Sequence, residues 1–285
     1  MKKTTIVCIT ALLLSACNSK NTESATPTPE SVFETVSVKK NISFDLKGDA
    51  NFHPGESSYC SNEVYMFYPK SINGVADKAL SDSIKSAMFP GDSTSTDIRE
   101  AVDRFIDNYD YAPDEVENIK PANKLPESGR FTSTHAVKMA PMSVSKRSMV
   151  FQVLHYDYMD GAAHGYSYSR FINYDIESRK VVSISDLFNT DGDKFREMVA
   201  NQLLAQNNVE SFDQLKEKGF LVDFSEFYVT DNFYIDSDNC RIVLVYNPYE
   251  IGCYALGKVE ISIYAYDFES VITPLGKELT EYNYK

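Results

Sequence analysis

The run SMVFQVLHYDYM, residues 148–159, constrains the fold more than any other stretch. Met149, Phe151, Val153 and His155 alternate with Val150, Gln152, Leu154 and Tyr156, a period of two that fits an extended strand. Both alternating sets are rather apolar, which places this strand at the centre of a sheet with both faces covered. A turn from Gly161 to Gly165 follows. Tyr166, Tyr168, Ile172, Tyr174 and Ile176 then share one face of a second strand. Glu177-Ser178-Arg179-Lys180 reads as the turn into a third, Val181–Ile184. Strands joined by turns this short predict an antiparallel meander.

Upstream, strand patterns occur at Ile42, Phe44 and Leu46, and at Val64, Met66 and Tyr68, where Pro69 is expected to stop the strand. Helical spacing follows, at Ile72, Val75, Leu80, Ile84 and Met88, and again at Ile98, Val102, Phe105 and Tyr109. Asp97 with Glu100 marks the second helix start, and Pro113 its stop. Residues 111–129, with Pro113, Pro121 and Pro126, read as irregular connection. Downstream, Phe195, Met198, Val199 and Leu203 predict a helix after Asp191-Gly192, and Ser211 with Gln214 a shorter one ending at Gly219. Strand patterns return at 227–235, 241–246 and 259–266. Helices interrupting antiparallel strand runs predict an α+β fold.

The N-terminus bounds location. Lys2 and Lys3 precede an apolar segment of 11 residues, Thr4 to Leu14, and Ser15-Ala16 precede Cys17. A bilayer-spanning helix needs about 20 apolar residues, so this layout reads as a secretory signal peptide. Its Leu14-Ser15-Ala16-Cys17 ending resembles the bacterial lipobox, which implies cleavage after residue 16 and a lipid on Cys17. Asn18, not aspartate, follows, which by resemblance to lipoprotein sorting points to the outer membrane of a cell envelope. Residues 17–35 are expected to form a flexible tether. Losing residues 1–16, with their two lysines, takes the net charge from −13 to −15. So acidic a chain is a poor ligand for nucleic acid or for anionic lipid, leaving the lipid on Cys17 as its only membrane contact. A basic protein or cationic glycan is the favoured electrostatic partner, beside the plain alternative of solubility.

Beyond Cys17, the expected mature chain holds Cys60, Cys240 and Cys253. Cys240 and Cys253 bracket one apolar run, so a hairpin could join them in a disulfide; equally, all three could be small buried hydrophobes. Chemistry is hard to find. His155, Asp157, Asp160 and His164 are the one close set of potential ligands, and their strand-and-turn placement lacks any metal-binding helix behind it. The four histidines, at 53, 135, 155 and 164, lack the short pairing of a metal hydrolase, and no G-x-S-x-G elbow is present. No cofactor, metal or catalytic residue is expected. Nineteen tyrosines without a tryptophan provide amphipathic rings suited to an interface or to sugar stacking, or simply to cross-strand packing.

Tyr158-x-x-Gly161-Ala162-Ala163-His164-Gly165, with Ser185-Asp186-Leu187-Phe188 and later Tyr246-Asn247-Pro248-Tyr249-Glu250-Ile251 and Tyr254-Ala255-x-Gly257, resembles the DUF3298 family. The resemblance covers residues 145–275, and a looser one to the companion domain of PdaC/RsiV-like proteins covers 36–140. It implies an N-terminal α+β subdomain at 36–140 and a DUF3298-like domain at 141–285. Members of that family include a lysozyme-binding sensor and peptidoglycan deacetylases that carry the module as an accessory. The implied function is therefore a non-catalytic, lipid-anchored envelope protein recognising lysozyme or another basic wall-active protein. The alternative is a protein that binds or modifies peptidoglycan glycan. The residues implied to contact the ligand are Tyr158, Gly161, His164, Gly165, Tyr166, Tyr249 and Glu250, with Gly165 expected to need a positive φ.

Overall fold

The computed structural model describes residues 30–44, 58–108, 132–160 and 162–282. The expected signal peptide, Cys17, His53, Tyr109 and Gly161 lie outside these residues. Six strands form one sheet in sequential order: β1 (Ser31–Phe44), β2 (Ser58–Ile72), β3 (Thr132–Val144), β4 (Ser148–Met159), β5 (Tyr166–Asp175) and β6 (Lys180–Val182). All pairs are antiparallel except β2–β3. A parallel pair requires a long crossover, and this one carries α1 (Lys78–Met88) and α2 (Ile98–Asp107). A second, antiparallel sheet holds β7 (Phe233–Asp236), β8 (Arg241–Tyr246) and β9 (Val259–Tyr264). Around it lie α3 (Ile184–Leu187), α4 (Lys194–Gln206), α5 (Phe212–Glu217) and α6 (Pro274–Leu279). The fold is α+β, as the alternation of patterns predicts.

The doubly apolar pattern of β4 has a direct cause. Phe151 and Val153 face a core formed with Ile84, Met88, Val102, Val137 and Met139, beneath α1 and α2. Val150, on the other face, enters a second core with Phe188, Phe195, Leu203, Leu244 and Ile261. β4 thus serves two cores at once. The expected boundary between residues 140 and 141 falls inside β3, and the six-stranded sheet runs across it.

Several local expectations change. β1 begins at Ser31, so residues 31–35 belong to the sheet and not to a tether; Phe33 is buried and stacks on Phe67 at 4.7 Å. β2 continues through Pro69 because the register shifts between Val32 and Phe33, opposite that proline. Ile72 therefore ends a strand and does not open a helix. The α2 start is as the sequence implies: Asp97 accepts hydrogen bonds from the Arg99 and Glu100 amides. The strand expected from 227 shrinks to Phe233–Asp236, although Phe227 is buried.

The edge of β5 beyond the short β6 is completed by side-chain amides. Asn247 Oδ1 accepts from Ser169 N at 2.7 Å, and Asn232 Oδ1 accepts from Phe171 N at 3.1 Å. Asn232 Nδ2 donates to both Ser169 O and Val245 O at 3.0 Å. Asn173 Nδ2 donates to Phe233 O at 2.7 Å, while its Oδ1 accepts from Ile235 N at 3.0 Å. The Asn247 and Asn232 bonds give β5 partners that a missing neighbouring strand would have supplied, the Asn173 bonds do the same for β7, and together they tie the second sheet to the first.

Candidate functional site

The Gly252 carbonyl accepts from Tyr249 N at 3.0 Å, closing a tight turn after β8. Glu250 Oε2 accepts from Asn247 N at 2.7 Å, and Glu250 N donates to Asn247 O at 3.1 Å. The turn holds Tyr249 at φ +73°, a left-handed conformation that non-glycine residues adopt at a cost. The residue is 54% exposed. Left-handed strain on a tyrosine that buries little has no compensation in core packing.

This turn lies against the start of β5. Tyr254 donates its hydroxyl to Gly165 O at 2.8 Å, and its ring stacks on His164 with centroids 3.5 Å apart. The Tyr249 and Tyr254 rings meet at 5.7 Å. Burial, then the charges of Glu250 and Asp157, raises the Tyr166 phenol above its ordinary pKa; burial and Glu250 do the same at Tyr228. His164, Gly165, Tyr166, Tyr249 and Glu250, expected from two motifs more than 80 residues apart, therefore share one surface. Exposed Leu221 extends it, since its amide donates to Ile251 O. Tyr158 and Tyr166 do not share a face of the sheet. Asp157 pairs with Tyr166, so strand alternation turns Tyr158 to the opposite face. Tyr254 and Asn247 stand in the quoted motif, but nothing in a linear sequence reveals that they bridge to β5.

Two further expectations are corrected. Gly165 is not at positive φ; a Cβ there would meet the outer atoms of the exposed Tyr156 ring at 2.7 Å, so that ring would have to swing aside to admit one. Cys240 and Cys253 are free thiols. Cys240 precedes β8, whereas Cys253 follows its far end, with its amide bound to Gly219 O. Six strand residues span about 20 Å, far beyond the Cα separation a disulfide tolerates. The apolar run between the two cysteines forms a single strand, so no hairpin brings them together.

The potential ligand set of the sequence is dispersed. Asp160 accepts from both Thr132 N and Oγ1 at 2.7 Å, and His164 sits against Tyr254. His155 and Asp157 face the helix side of the sheet. Among the described residues no three His, Cys, Asp or Glu groups could hold a metal ion. There they join a cavity of about 740 Å³ between the sheet and the ends of α1 and α2. His135, which sequence reading left without a role, pairs across strands with Asp157 at 2.7 Å. That bond is the main reason its pKa rises to about 10, so it is a cation at neutral pH. His155 is only 5% exposed and burial lowers its pKa, leaving it neutral.

Comparison with known proteins bears on the family. Residues 185–265 match DUF3298, described as a protein of unknown function. The matched segment includes Ser185–Phe188 and Pro248–Ile251 and begins after the glycine turn. A DUF3298 family member from Bacteroides fragilis is structurally similar, with a TM-score of 0.61 and 21% identity, over 88% of this chain and 98% of that one. A DUF3298 family protein from Pseudomonas aeruginosa superposes with a TM-score of 0.53 and 16% identity, over 87% of this chain and 96% of that one. Comparison with curated proteins gave no match. With the motif segment matched and the fold common to both solved structures, the chain carries a DUF3298 domain at residues 185–265.

Proposed function

We propose that this protein is a lipid-anchored component of the cell envelope that binds a basic wall-active protein, such as lysozyme, without catalysis. The observation that carries the reading is Tyr249, an exposed ring held in a strained backbone beside Glu250, Tyr166 and Tyr254. Rigid aromatic anchors next to a carboxylate suit a cationic protein surface, where tyrosine and arginine dominate binding energy. The acidity of the chain supports the same partner by speeding encounter. Anchorage rests on the lipobox resemblance at Cys17; no helix among the described residues is long and apolar enough to cross a membrane.

The test is calorimetry of residues 18–285 against a c-type lysozyme and against cytochrome c as an equally basic control, at physiological salt. Selective binding of lysozyme, weakened at least tenfold (about 1.4 kcal/mol) by Tyr249→Gly, is expected. Equal binding of both proteins, or of neither, refutes the partner. Release of acetate or reducing ends from peptidoglycan, abolished by a point substitution, would replace this reading by an enzymatic one.

A further inference from the structure

We propose that the cavity between the sheet and α1–α2 is a binding site for one uncharged, polyhydroxylated ring, a single neutral sugar residue, with His155 as its central hydrogen-bond acceptor. Its lining shares no residue with the Tyr249 surface, which it adjoins where Tyr168 lies 5.8 Å from Tyr166, and the proposal does not depend on the function proposed there.

The cavity, at about 740 Å³, lies within the size range of small-molecule sites. Its position follows from the sequence pattern. On the helix-facing side, β3 and β4 are apolar under the helices, at Val137, Met139, Phe151 and Val153, and become polar at His135, His155 and Asp157, where the cavity opens.

Charge complementarity argues against an ionic ligand. Asp92 already accepts from Thr94 N and Oγ1 and from Ser95 N and Oγ. Arg104 is bound to Thr94 Oγ1 and Glu100, Asp107 pairs with Lys40, and His135 pairs with Asp157. Each of these lining charges is thus compensated inside the chain, and Arg170, whose charge also acts on His155 and Tyr168, stands outside the lining, so a charged ligand would lose hydration for little gain.

What the wall does offer is acceptors. His155 Nε2 lies 2.8 Å from the Ala87 carbonyl, which can only accept, so the proton sits on Nε2 and Nδ1 carries a lone pair. Nδ1 has no hydrogen-bond partner among the described residues, although the ring is almost wholly buried. The second carboxylate oxygen of Asp157 adds another acceptor, since its bond to His135 uses Oδ1. A purely apolar guest would leave both unpaired, whereas a ring bearing several hydroxyl groups supplies donors to each. Tyr168, stacked on His155 at 4.3 Å and 4°, holds the imidazole plane and brings a hydroxyl of its own. Phe89 and Phe105, 5.5 Å apart, give the C–H face of such a ring an apolar wall.

The experiment is titration of the 15N-labelled protein with glucose, N-acetylglucosamine, glucosamine and glucuronic acid, reading the His155 ring nitrogens by NMR. A neutral sugar binding with a Kd of about 10 mM or tighter, shifting Nδ1 more than Nε2, is expected. Glucosamine and glucuronic acid should bind at least tenfold more weakly. Tyr168→Phe, which keeps the ring stack, should weaken binding severalfold; His155→Phe should abolish it, and the wild-type titration stands even if that variant fails to fold. Chitotetraose binding at the same resonances would assign a glycan end, and monosaccharide binding alone a free sugar; either supports the site. Absence of any His155 shift with neutral sugars, or equal binding of charged and neutral ones, overturns it.

Discussion

Replacing Tyr249 by glycine should remove the binding anchor and leave stability almost untouched. An L-residue in the left-handed region costs about 1–2 kcal/mol, which glycine avoids. Glycine in turn loses roughly 0.5–1 kcal/mol more backbone entropy on folding. The ring also forfeits its contact with Tyr254 at 5.7 Å, which contributes on the order of 0.5 kcal/mol at an exposed site. These terms nearly cancel, so Tyr249→Gly should shift stability by less than about 1 kcal/mol, against about 3–5 for deleting a core aromatic. Tyr249→Ala separates the contributions. It loses the same ring and keeps the strain, so it should be less stable than the glycine variant by about 1 kcal/mol. Urea titrations with equal m-values give both numbers, and the same samples serve for lysozyme calorimetry. An alanine variant as stable as the glycine one would refute the claim of backbone strain. A loss of several kcal/mol in the glycine variant would show that the ring holds the fold, leaving it no special claim as a binding anchor.

Gly165→Ala should destabilise by less than about 1 kcal/mol in thermal melts, because the added Cβ meets only the outer atoms of the exposed Tyr156 ring; Tyr156→Ala in the same chain should remove that loss. Asn247→Ala leaves Ser169 N without a partner in a buried position, while Ser169 O keeps Asn232 Nδ2, and should cost about 1–3 kcal/mol by chemical denaturation, a cost that Asn247→Asp should only partly reproduce. The His135–Asp157 bond gives pH dependence of a definite sign. The folded pKa of about 10 lies above the unfolded value, so its contribution is complete below about pH 6.5 and disappears as pH rises towards 10; Asp157→Asn should flatten that part of a urea-stability profile. Cys17→Ser should release the protein from the membrane fraction, and unchanged retention with no lipid mass on the N-terminus would refute anchoring.

The strands around the glycine turn were legible because alternation over a dozen residues leaves one regular conformation that buries both sets of side chains. Arg241–Tyr246 was readable to the residue for the same reason. The segment 227–232 was not, since Phe227 is buried from a loop while Asn232 spends its amide on β5. Hydrophobicity alone does not separate those situations. The passage of β2 through Pro69 depends on a bulge at Lys70, visible only against the Val32–Phe33 step of the partner strand. The site divides in the same way. Tyr166, Tyr249 and Glu250 stand in recognisable motifs, but the cavity arises where α1 and α2 end above β3 and β4. His135 meets Asp157 only through a strand register. Such pairings connect positions more than 20 apart and leave no local trace.

Sharing β4 between two cores has a consequence for how this chain melts. Neither half can lose its packing without uncovering one face of a strand that the other half still needs, so the cooperative unit spans both cores. Calorimetric and van 't Hoff enthalpies should therefore agree for residues 18–285 as a whole. A fragment cut at residue 140 would end inside β3 and lack β4, exposing Val137 and Met139 along a raw strand edge. Pieces divided there should aggregate when expressed alone and regain order only when mixed.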